Sequence, residues 1–275
     1  MKGRWLIGAL AGLYLLLWAG GVVAHFLWRR TPAGAEWAAP AFLACAAAMV
    51  FLGEGRRRAW LAAAGAGGFL SELIGVRFSA LYGRYSYTGV LQPQLAGVPV
   101  VMACAWVILI SYVKDRSGRL QLNPWAEVFV GALWMTAIDL AIDPVATLAV
   151  QYWVWHEPGP YYGVPLGNFL GWMLVSAALL AAGRHFSSGE EARRGPLAQA
   201  SHWVGLSVIV FFGLLALAHG LWWPVAVAAV LTGWDLWLCQ RSSPVAQPAC
   251  GGEDIAVPTA GENQAKGGSS RNDRP

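Results

Sequence analysis

Three carboxyl side chains, Glu72, Asp139 and Asp143, each stand within a long apolar run. An ionised group near the centre of a bilayer costs roughly 2.5–3.5 kcal/mol on insertion scales, so three unpaired ones cost on the order of 8–10 kcal/mol. Asp139 and Asp143 are four apart and share one helical face, which Thr136 and Thr147 extend. Gly68, Glu72, Gly75 and Ser79 form a small, polar stripe on another helix, and such stripes let helices approach closely. The acids are therefore expected to meet inside a bundle, in a cavity reached between the two helices. Carboxyls in an apolar, aromatic pocket favour their neutral form. A neutral acid can protonate an isolated alkene, aromatic faces and a second carboxylate can hold the carbocation, and a positioned water then completes a hydration. No metal or organic cofactor is needed, in keeping with a sequence that has no Gly-rich nucleotide loop, zinc spacing or haem motif. The bland alternative is helix-to-helix glue, each acid protonated or paired with Arg77 or Arg84; three acids with a facing repeat favour a site.

The elements that must hold these residues are membrane helices. Of 275 residues, 57% are hydrophobic and 12% charged, against roughly 25% charged in a soluble domain. An ordinary water-soluble enzyme is excluded. Apolar runs between charge clusters predict an all-α polytopic bundle of eight spans: Trp5–Trp28, Ala38–Leu52, Ala59–Leu81, Val98–Val113, Trp125–Gln151, Leu166–Gly183, His202–His219 and Trp222–Cys239. The first exceeds the usual signal-peptide core and reads as a retained helix. Of nineteen Lys and Arg, Arg29, Arg30, Arg77 and Arg84 fall at one set of alternate ends and all others at the opposite set. This bias places both termini in the cytoplasm of a multi-pass cell-membrane protein. Residues 1–240 form the bundle, and 241–275, rich in Gly, Pro, Ser and charge, read as a disordered cytoplasmic tail. Cys45, Cys104, Cys239 and Cys250 show no CxxC spacing and no His at ligand spacing, so neither a disulfide framework nor a zinc site is expected.

The two acid-bearing segments echo each other. Glu72 precedes Gly97-Val98-Pro99, with Trp106 nine residues after the Gly; Asp139 precedes Gly163-Val164-Pro165, with Trp172 again nine after the Gly. Both copies start from the cytoplasmic side, so the relation is a parallel repeat about an axis along the membrane normal. Coincidence between two Pro-initiated helices is the alternative. The acids lie from mid-membrane outward, under aromatic loops that contain Tyr82, Tyr85, Tyr87, Trp153 and Trp155. Most of the sixteen Trp are interface anchors. Tyr85, Tyr87, Trp155 and Tyr162 are candidates to line the acid cavity, and Asn168 to supply a buried amide. Pro144 removes an N–H and frees the carbonyl of Leu140, which is expected to hold a water beside the acid pair.

Glu72-x-x-Gly75, Gly83-x-Tyr85-x-Tyr87, Asp139-x-x-x-Asp143-Pro144, Trp155, and Tyr161-Tyr162-Gly163-Val164-Pro165 with Asn168 and Trp172 together resemble the membrane-integral carotenoid biosynthesis proteins that act as carotenoid 1,2-hydratases. The resemblance covers roughly Glu72 to Trp172. It implies addition of water to the terminal isopropylidene double bond of an acyclic or monocyclic carotenoid, giving a tertiary alcohol. The implied partners are that substrate, the lipid bilayer and other enzymes of carotenoid biosynthesis, with no nucleic acid. Relatives in salt-loving archaea act on fifty-carbon carotenoids and are expected to be acidic. The net charge of +4 here points instead to a bacterial enzyme with a lycopene-like or gamma-carotene-like substrate. Two rivals stand beside this reading. Asp139-x-x-x-Asp143 is half of the signature of membrane prenyltransferases that bind a magnesium diphosphate, but no second Asp-rich motif accompanies it. A proton-coupled transporter also carries intramembrane acids and a repeat.

Overall fold

The computed structural model describes residues 2–55, 57–184, 197 and 199–242. Eight helices are present among them: α1 (Lys2–Trp28), α2 (Ala38–Gly53), α3 (Arg58–Phe78), α4 (Met102–Gly118), α5 (Pro124–Leu148), α6 (Leu166–Gly183), α7 (Ala200–His219) and α8 (Trp222–Ser242). Four short strands interrupt the order, β1 (Tyr85–Tyr87), β2 (Gln94–Leu95) and β3 (Val98–Pro99) between α3 and α4, and β4 (Trp153–Trp155) between α5 and α6. The tail read from the sequence lies outside the described residues beyond Ser242, as do Arg56, Arg193 and Arg194 of the charge argument.

Six of the eight helices are long and apolar enough to cross a membrane. The chain is thus a multi-pass helical membrane protein, with fewer full-length spans than the eight expected. The exceptions are α2, 16 residues, and α4, 17 residues. At about 1.5 Å per residue they reach about 24–26 Å, short of a hydrocarbon core of about 30 Å. The fourth span also starts later than the apolar run implied, because Val98 and Pro99 pair as β3 and the helix begins at Met102. A strand and a helix both accept such a short apolar run.

Local chemistry sets the helix ends near the acids. Asn123 caps α5, its side chain accepting from the Ala126 N–H at 2.9 Å, with Pro124 in the first turn. At the other end of α5 the chain enters the loop that carries β4. Ser79, in the left-handed region at φ 54°, closes α3 and turns the chain into the loop that carries β1.

The two aromatic loops join. β1 and β4 pair antiparallel, Tyr85 opposite Trp155 and Tyr87 opposite Trp153. The two Gly-Val-Pro segments share a turn geometry, with φ of 51° and 85° at Ala96-Gly97 and 51° and 83° at Tyr162-Gly163. Each turn links two residues that pair across it, Leu95 with Val98 and Tyr161 with Val164. The positive φ values belong to the tight hairpin turn that favours Gly at its second position. The repeat-related Trp106 and Trp172 stack face to face, ring centroids 4.5 Å apart and 13° from coplanar. The halves of the sequence repeat therefore meet at one strand pair and one stacked indole pair.

Helix α3 packs on α4 and α6, whereas α5 packs on α4, α6, α7 and α8. Close direct packing of α3 on α5 was expected, but among the described residues the two are joined mainly through α4, α6 and the strand cap. The reason lies in the small residues of α3. A Cβ at Gly68 would fall 2.1 Å from the Trp106 ring, and one at Gly75 2.7 Å from Tyr82 and 2.9 Å from the Tyr85 hydroxyl. The small stripe admits aromatic rings where a neighbouring helix was expected.

Candidate active site

The site forms where α3 and α5 end and α4 and α6 begin. Glu72 lies six residues before the end of α3, about 9 Å at helical rise. Asp143 lies five before the end of α5, and Asn168 is the third residue of α6. Glu72, Asp139, Asp143 and Asn168 are each at most 4% exposed. Such burial is tolerable only with hydrogen bonding, because a buried polar group left unpaired forfeits its solvation.

The partners are present. Glu72 Oε2 accepts from the hydroxyls of Tyr85 at 2.6 Å and Tyr87 at 2.9 Å, and Oε1 from the Trp106 indole at 3.3 Å. Asp143 Oδ1 accepts from the indoles of Trp153 at 2.9 Å and Trp155 at 3.2 Å. The Asn168 amide nitrogen reaches two carboxyls at once, Asp139 Oδ2 at 2.6 Å and Asp143 Oδ2 at 2.7 Å. Asp139 accepts at that one oxygen only, among the described residues. Burial, and then the adjoining Glu72 carboxyl, push the phenols of Tyr85 and Tyr87 well up from their ordinary value, so both remain O–H donors.

Glu72, Asp143, Tyr85, Tyr87, Trp155 and Asn168 line one cavity of about 20 Å³, which is room for about one water. Asp139 joins them through Asn168 and itself lines an adjoining cavity of about 60 Å³. Tyr162 is not brought in. Its hydroxyl accepts from the Trp223 N–H at 3.4 Å, at the edge of α8. The left-handed turn at Tyr162 points its side chain away, and Tyr161 takes the place near the acids. The Tyr161 hydroxyl donates to the Leu140 carbonyl at 2.9 Å, so the group freed by Pro144 is satisfied by a side chain where a water was expected. Burial pushes the Tyr161 phenol up to about 12, which keeps it a donor.

Sequence reading missed Trp153 and Tyr82 as site residues and placed Trp106 and Trp172 only in the repeat. Trp153 was legible. Alternate residues of a strand share a face, so Trp153 must accompany Trp155 as Tyr85 accompanies Tyr87. Tyr82 had no such signal. Its hydroxyl hydrogen-bonds Ser71 at 2.7 Å and its ring fills the space over Gly75.

A second polar cluster lies toward the opposite ends of the helices. His202 on α7 and Asp235 and Cys239 on α8 bring potential metal-ligand atoms within 4.8 Å of one another, a grouping that sequence spacing does not reveal. Arg116 stands among them, Nε 2.7 Å from Asp235 Oδ1 and an Nη 3.3 Å from Cys239 Sγ. Tyr112 and His202 complete the shell of Asp235, at 2.9 Å and 2.7 Å. The guanidinium supplies the positive charge a cation would bring, and the cluster ties α4, α7 and α8 together.

Membrane helices around a buried set of carboxyls, capped by paired aromatic strands, define a multi-pass membrane protein with an acid-lined apolar site. A family model described as carotenoid biosynthesis protein matches residues 22–234, and the chain belongs to that family. It is similar to the bisanhydrobacterioruberin hydratase of Haloarcula japonica, with 29% identity over 178 residues, covering 60% of this chain and 58% of that relative. The match thus spans less than two thirds of the relative's length. No solved structure matches the chain.

Proposed function

We propose that the protein is a cofactor-independent carotenoid hydratase, adding water to a terminal isopropylidene double bond of an acyclic or monocyclic carotenoid. The observation that carries this reading is the Asn168 bridge between Asp139 and Asp143 beside a cavity for one water. The family match and the hydratase relative support it.

The carboxyls divide the work by their partners. Three N–H donors turn toward Asp143 and three donors toward Glu72, so each accepts at both of its oxygens. Asp139 receives one donor, at one oxygen, and its second oxygen carries the proton. It protonates the CH carbon of the alkene and leaves the tertiary cation at the carbon bearing two methyl groups. Trp153 and Trp172 line both cavities, and aromatic rings there would stabilise that cation. A water beside Glu72 and Asp143 attacks the cation and yields its proton to a carboxylate. Transfer of that proton back to Asp139 restores the starting state, and the sum is one water added.

In this reading the substrate has a lycopene-like or gamma-carotene-like end, both termini lie in the cytoplasm of a cell-membrane protein, and residues from 241 are a tail without a role in the chemistry. The bilayer and other enzymes of carotenoid biosynthesis are its partners. Expression in a bacterial host that accumulates lycopene should yield pigments heavier by the mass of one water. Unchanged pigment with the protein in the membrane would sink the proposal.

A further inference from the structure

We infer that the polyene of the substrate lies in a path of three confluent cavities, which leaves the acid cavity past Asp139 and opens to the bilayer among α1, α2 and α7. This rests on the hydratase reading for the identity of the occupant. The three cavities adjoin through shared walls. Met102, Trp153 and Trp172 line both the acid cavity of about 20 Å³ and the next of about 60 Å³. Leu43, Tyr152 and Phe212 line both the middle cavity and an outer one of about 260 Å³. The cavities widen away from the acids. A water belongs at the narrow end and a long apolar chain at the wide one.

The path is built by residue size. On α1, Gly20, Gly21 and Ala24 face the outer cavity, and α2 contributes Ala38 and Ala39. A Cβ added at Gly20 would meet nothing within 4 Å, so this glycine borders open space. The middle cavity is walled by Leu91, Ile108, Leu109, Ile142 and Val208, and Asp139 is among its lining residues. A rigid hydrocarbon threaded through it brings its terminal double bond beside Asp139 and the acid cavity. An acyl chain could fill the outer cavity, but it has no terminal alkene for the acid to protonate. Entry is accordingly from the α1, α2 and α7 side, and not between α3 and α5 as the small stripes implied.

The test uses the full chain purified in lipid nanodiscs and lycopene as probe. Binding is read from the shift of the visible band and from quenching of tryptophan emission, Trp28 and Trp153 being in the wall. Gly20→Trp fills the outer cavity, and Leu43→Trp closes the junction. Both should weaken lycopene binding at least tenfold and lower hydration at subsaturating lycopene by the same factor. Gly20→Leu, a milder filling on a helix that gains propensity from losing glycine, should weaken binding by a smaller factor. Wild-type binding and conversion in Gly20→Trp and Leu43→Trp would overturn the path. Binding by the wild type that Gly20→Trp abolishes, without any hydrated product, would leave the path standing and overturn the hydratase reading. Displacement of lycopene by excess phospholipid acyl chains without loss in either variant would assign the outer cavity to lipid.

Discussion

Replacing Asp139 with Asn removes the proposed proton and little else. The amide oxygen of the new side chain can still accept from Asn168, as Asp139 Oδ2 does at 2.6 Å, and no other described donor depends on Asp139. No partner of Asp139 loses its bond and the new NH₂ takes the place of the acid's own O–H, so stability should fall by less than in Asp143→Asn. General acid catalysis contributes about 10²–10⁴-fold, equivalent to about 2.7–5.4 kcal/mol of barrier at 1.36 kcal/mol per tenfold. Asp143→Asn is a different perturbation. One oxygen of Asp143 takes two indole N–H groups and the other takes an amide N–H. An asparagine has only one oxygen, so its NH₂ faces a donor in either orientation. Stranding a buried donor costs about 1–3 kcal/mol. Asp143→Asn should therefore lose activity and unfold earlier, whereas Asp139→Asn should lose activity alone. Turnover is read by mass analysis of pigments and stability by thermal unfolding in micelles. In deuterated water the wild-type product should carry deuterium at the carbon next to the tertiary alcohol. Turnover of Asp139→Asn within about threefold of wild type would refute its role as the proton donor.

Tyr85→Phe and Tyr87→Phe each remove one hydrogen bond to the Glu72 carboxyl. Bonds of this charged kind are worth about 1.5–3 kcal/mol, so kcat should fall about 10–100-fold in each; an effect on KM alone would show that Glu72 does not position the water. Reporter fusions at Arg119 should behave as cytoplasmic and at His156 as external, and the reverse result would invert the orientation. Deletion of Ser243–Pro275 should leave turnover unchanged, since that stretch lacks the apolar content to pack; loss of turnover with normal membrane insertion would give the tail a role in chemistry.

The sequence by itself determined the class of structure and pointed to the carboxyls that the fold buries together. Apolar runs long enough to span a bilayer dictate helices, because only intrahelical bonding satisfies the backbone there, and carboxyls within those runs are too costly to be incidental. Period-two alternation also held Trp153 on the face of Trp155, a signal present in the residues and passed over. Tertiary structure alone decided the rest. That α4 and α6 stand between α3 and α5 depends on which rings fill the space over Gly68 and Gly75, a matter of volume and not of period. The choice of Tyr161 over Tyr162 rests on a left-handed turn that rotates one ring away. His202, Asp235 and Cys239 meet only because α7 and α8 pack antiparallel around Arg116. The path past Asp139 is likewise written in no motif. Its walls come from α1, α2, α4, α5, α6 and α7, and a void bounded by six helices is fixed by their packing and has no local code in the chain.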